Sequence, residues 1–200
     1  MLKPTTNLEN VHRIKRHGIG YVYLGQITIG ELATALEEGL IQYAPKYQRG
    51  YRPSLYKDDP GPDVLLKITD QDLEVDWDRA SQMAAKYLCA ASGNGSKKLF
   101  NPNIVWNARQ DDRRPAPEYD ADSSTVVISS RITIPDSGHR HACYKQIARW
   151  KEDPDSIPDQ VEIETNGETV TNTQLHSWVR NLDLDDEEES SILVDVFNLS

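Results

Sequence analysis

The chain has 200 residues and a formal net charge of −10, from 22 Lys and Arg against 32 Asp and Glu. That length can bury a core without staples, and the acidic excess argues against coating duplex DNA along the whole surface. A mean hydropathy of −0.64, no apolar run of spanning length and no charged-then-apolar leader pattern make a cytoplasmic protein with no membrane partner the expectation.

Residues 1–20 read as a polar N-terminal arm. Its basic cluster, His12, Arg13, Lys15, Arg16 and His17, could touch phosphates but reads first as a solvated patch. Residues 21–200 then read as one domain. Tyr21-Val22-Tyr23-Leu24 predicts a short strand. Thr28, followed by Ile29, Leu32, Ala33 and Leu36, predicts a helix with Glu31 completing a capping box and Gly39 ending it.

Residues 45–63, rich in Pro, Gly and Asp, predict a loop, and 64–68 a short strand. Asp76 or Asp78 would cap a second helix with Ala80, Met83, Ala84, Tyr87 and Leu88 on its apolar face. Ile104-Val105-Trp106 predicts a buried strand, and 109–123 an exposed connection. Thr125 to Ile128 and Arg131 to Ile134 would form one bent strand or a hairpin, with a third helix after Gly138.

Beyond it, Val161 to Ile163 and Thr169-Val170 would pair around the turn Asn166-Gly167. Thr173 would cap a short helix, and the six acids between Asp183 and Glu189 would form a solvated linker or helix start. The final run, Ile192 to Phe197, predicts a buried strand; a core strand so near the end points to a piece of a longer protein.

Chemistry concentrates in Asp136-Ser137-Gly138-His139-Arg140, where a strand turns into a helix. Helix N-terminal amides lack intrahelical partners, and the dipole there is positive. Gly138 would let an anion approach the backbone, and Arg140 offers a fork suited to phosphate oxygens. His139 can exchange a proton near neutral pH. Asp136 could hold a metal ion, orient His139 or accept a proton from water. The competing reading is plain capping by Asp136 or Ser137. Cys89 and Cys143 read as buried core thiols, and no zinc set, nucleophile elbow or P-loop is present in the sequence.

This motif resembles the Asp-Gly-Gln-His-Arg motif of DGQHR-domain proteins, including the DndB-like proteins of DNA phosphorothioate modification. Gly138-His139-Arg140 is also similar to the Gly-x-Arg-Arg phosphate motif of ParB proteins, and Tyr47-Gln48-Arg49 to the Gln-Arg element of these families. The family's Gly and Gln are Ser137 and Gly138 here. The resemblance covers about residues 45–150.

It implies an α/β (α+β) ParB/sulfiredoxin-like mixed sheet with flanking helices. Gln48, Arg49, Ser137, Gly138 and Arg140 would surround the phosphates of ATP or CTP, with Mg2+ as companion ion, and Asp136 and His139 would serve catalysis. The sulfiredoxin cysteine position is His139, and Cys143 lies a turn too late, so sulfinic acid reduction is not implied. The resemblance further implies nucleotide binding and hydrolysis in a DNA-modification or phage-defence system, alone as a homo-oligomer or with partner proteins of that system. Two readings compete with it: a non-catalytic DNA-binding regulator on the same fold, and an interaction module whose acidic face at 183–189 meets a basic partner.

Overall fold

Where the sequence predicts a polar arm, the chain opens with two long antiparallel strands, β1 (Thr6–Arg16) and β2 (Gly20–Thr28). The computed structural model describes residues 5–17, 20–43, 75–93, 103–108, 115–130, 132–136, 138–163 and 168–197. Gln48, Arg49 and Ser137, the expected strand at 64–68 and the turn Asn166-Gly167 lie outside the described residues, and of Asp136 only the backbone is described. The arm reading fails for a physical reason. Thr6, Leu8 and Val11 are buried, but a register shift between Glu9 and His12 breaks their alternation. Asn10, in the left-handed region at φ 51°, makes the bulge, and its side-chain amide donates to Gln26 Oε1 at 2.9 Å. Past the bulge every residue of β1 is exposed, so polarity there conceals a strand.

The helix α1 (Ile29–Glu37) follows, with the expected capping box between Thr28 and Glu31. It ends at Gly39 (φ 71°), with the Gly39 N–H donating to the Leu36 carbonyl and the Leu40 N–H to the Ala35 carbonyl, a Schellman motif. Next come β3 (Ile41–Tyr43), α2 (Trp77–Ala91) and β4 (Ile104–Asn107). Asp76 is the N-cap of α2, accepting from the Arg79 N–H at 2.9 Å.

The expected connection at 109–123 contains an edge strand, β5 (Glu118–Asp120), too short and polar to show a pattern. It is followed by β6 (Thr125–Ile128) and β7 (Ile132–Asp136). These last two are neither one bent strand nor a hairpin. β6 pairs with β1 and β5, whereas β7 lies between β3 and β4. Then follow α3 (Gly138–Glu152), a 3-10 turn at Pro154–Ser156, and the hairpin of β8 (Gln160–Ile163) and β9 (Glu168–Thr171). The helix α4 (Asn172–Asn181) is capped by Thr171 rather than Thr173, because Gln174 completes a capping box with the earlier threonine. A single turn, α5 (Glu187–Ser190), and β10 (Ser191–Phe197) complete the described chain.

Among the described residues, eight strands form one mixed sheet in the order β3-β7-β4-β10-β2-β1-β6-β5, and β8 and β9 form a separate ribbon. The fold is therefore mixed α/β, with five helices among the described residues. The C-terminal strand is central, antiparallel to β2 and parallel to β4. On its covered side Ile192, Val194 and Val196 are fully buried, level with Ile104 and Trp106 of β4. The third helix is the pivot of the helical layer, packed against α1, α2 and α4. It is buried on almost every side, from His141 to Ala148 and again at Trp150. No helix among the described residues is long and apolar enough to cross a membrane.

Candidate functional site

An internal strand, β7, delivers the chain to the start of α3, with β3 running parallel beside it. Tyr43, the last residue of β3, pairs with Ile134 and lays its ring on Gly138; a Cβ there would lie 2.8 Å from Tyr43 Cε2. The glycine is thus required by a packed aromatic ring. That differs from the expected close approach of an anion to its backbone. Gln48 and Arg49 follow Tyr43 by five and six positions in sequence.

The first turn of α3 carries His139, Arg140 and His141 and no acid. A cation such as Arg140 at the positive end of a helix dipole is unfavourable on its own, by some tenths of a kcal/mol. The three side chains part ways. Arg140 is half-buried, and its Nη1 donates to the backbone carbonyl of Asn103, just before β4. That bond uses one of five guanidinium N–H groups and fixes the side chain beside the sheet. His141 is fully buried, and its Nε2 accepts from the Trp106 indole N–H at 2.9 Å. An indole can only donate, so the lone pair lies on Nε2 and the ring proton on Nδ1. This histidine anchors the start of α3 to β4.

His139 points the other way and stays exposed. Partial burial of the ring, and then the Arg79 guanidinium, push its pKa below the usual histidine value; Asp76 opposes them. Arg79 and Asp76 belong to the first turn and the N-cap of α2. Two helix N-termini therefore meet at His139. The helices run alongside in the same sense, because the Tyr87 and Tyr144 rings, further along each, meet edge to face at 5.6 Å. Adjacent parallel helices add their N-terminal partial charges in one corner. Arg79 adds a full one, opposed by the carboxylates of Asp76 and Asp78 on the same helix start, and Arg140 stands on the sheet side of α3.

The structure thus brings Gly138, His139 and Arg140 together and adds Arg79, Asp76, Tyr43 and Asn103, which the sequence does not single out for the site. The Asp76 cap is legible, but the meeting of α2 with α3 is a tertiary fact with no local signature. Cys143 lies deeper on α3, fully buried, and burial pushes its thiol pKa far up, so it is no nucleophile. No group of three or more His, Cys, Asp or Glu side chains among the described residues could hold a metal ion. An acid–anion role for this corner needs none, since amides and guanidinium groups bind phosphate directly. No family model, no curated protein and no solved structure matches the chain.

Proposed function

We propose that this chain binds a nucleoside triphosphate, ATP or CTP, by its phosphates at the paired N-termini of α2 and α3, and hydrolyses it in a DNA-modification or phage-defence system. The nucleotide chemistry and the setting come from the resemblance to DGQHR-domain proteins. The observation that carries the reading is electrostatic. The first turn of α3 holds two histidines and an arginine with no acid, beside a second helix start where Arg79 is accompanied by the acids Asp76 and Asp78. The two helix N-termini and the guanidinium groups of Arg79 and Arg140 suit a bound polyanion.

In this reading Arg140 and Arg79 hold phosphate oxygens, and Ser137, Gln48 and Arg49 contribute to the same site. His139 is accessible, and burial and the Arg79 guanidinium lower its pKa, which favours the neutral imidazole suited to accept a proton from an attacking water. Asp136 is the second acid–base candidate or the carboxylate of a magnesium-nucleotide complex.

Binding and turnover of ATP, CTP and GTP by the wild type, Arg79→Ala and Arg140→Ala test it. One nucleotide should bind, with at least a tenfold loss in each variant and loss of turnover in His139→Ala. Equal binding by all three proteins would refute the site.

A further inference from the structure

We propose that the tip of the β1–β2 hairpin is a docking element for duplex nucleic acid, gripping phosphates on both walls of a groove. This site is separate from the nucleotide corner and does not depend on it.

The hairpin outruns its sheet. β6 pairs with β1 only at Thr6 to Leu8, and β10 pairs with β2 only up to Val22. The rungs Lys15–Tyr21 and Arg16–Gly20 therefore belong to a two-stranded ribbon with no further strand on either side among the described residues. Between Val11 and Leu24 the chain carries Arg13, Lys15, Arg16 and two histidines, and no acid, although its net charge is −10. Every residue from His12 to Arg16 is exposed.

Strand alternation sorts these groups. Arg13 and Lys15 share a face with their partners Tyr23 and Tyr21. His12, Ile14 and Arg16 occupy the other. Cations thus project from both faces. Ile14 and Tyr21, 39% and 41% exposed, are the large exposed hydrophobic side chains among the described residues, and they too stand on opposite faces of the tip. An interfacial membrane element segregates apolar and basic faces; this ribbon does not. A duplex major groove admits a two-stranded ribbon and presents phosphates on both walls.

Arg13 is also prearranged. Its guanidinium stacks 4.7 Å from the ring centroids of Tyr21 and Tyr119. Stacking holds the plane while leaving in-plane N–H groups to donate to phosphate. The acidic remainder of the chain repels a duplex, so the tip also sets the orientation of approach.

The test uses the full chain and a short fluorescent duplex, titrated at several salt concentrations, beside the double variant Lys15→Glu/Arg16→Glu. Both side chains are exposed, so the fold should survive, as circular dichroism would verify. The wild type should bind with a marked salt dependence. The double variant should lose at least tenfold in affinity, with a salt slope shallower by about two units, and keep its nucleotide response. No duplex binding by the wild type, equal binding by the variant, or preference for phosphatidylserine vesicles over the duplex would overturn the assignment.

Discussion

The first turn of α1 is closed by the chain's own acids, whereas the first turn of α3 carries an arginine, two histidines and no acid. At α1, Thr28 and Glu31 satisfy each other's backbone, the Gly30 N–H donates to the Leu184 carbonyl at 3.0 Å, and the Asp185 carboxylate lies where a Gly30 Cβ would be. Much of the acidic run 183–189 is spent locally in the same way: Asp186 caps α5, and Asp183 accepts from the Asp185 N–H. The acidic face expected for a basic partner stays exposed, although Asp183 and Asp186 also accept from local backbone N–H groups. One helix start is neutralised from within; the described first turn of the other carries no acid, and there our proposal places a guest of opposite charge.

The largest effect should come from the buried end of the first turn of α3. His141→Ala leaves the Trp106 indole N–H without its acceptor and opens a cavity, and should cost about 3 kcal/mol in urea denaturation. His139→Ala, two residues earlier, should stay within about 0.5 kcal/mol. Comparable losses would mean that the two histidines are not divided between scaffold and surface.

Next in size is a change of sign at the open corner. His139→Glu should stabilise the free protein by about 0.5 kcal/mol, by complementing two helix dipoles and Arg79, while weakening nucleotide binding at least tenfold. Destabilisation with unaltered binding would show that the corner is not positive. The smallest effect belongs to the closed end. Asp185→Asn should cost about 0.5 kcal/mol at low salt and less at high salt, with nucleotide binding untouched.

Much of this molecule is legible locally. The Thr28–Glu31 box and the Asp76 cap rest on contacts three residues apart, and the start of α3 at Gly138 and the strand Ile192 to Phe197 announce themselves in local pattern; each stands where the sequence predicts it. What escapes is long-range or patternless. β1 is hidden by its bulge and by a distal half exposed on both faces; β5 is three residues at an edge. The separation of β6 from β7 across the sheet is written in neither segment. At the site, His139 and Arg140 are legible as a motif. The burial of His141 against Trp106 is not, nor is the nearness of Arg79, because both depend on which helix and strand pack together.

The most direct measurement is the pKa of His139, followed by its imidazole proton resonances with and without nucleotide. In the free protein it should titrate below the usual 6.5, so the unfolded chain binds this proton more readily and stability should fall as pH drops from about 6.5 through the folded value. Saturating ATP or CTP should raise it, because a phosphate beside the ring favours the imidazolium. A titration curve unmoved by any nucleotide would contradict an anion site at this corner.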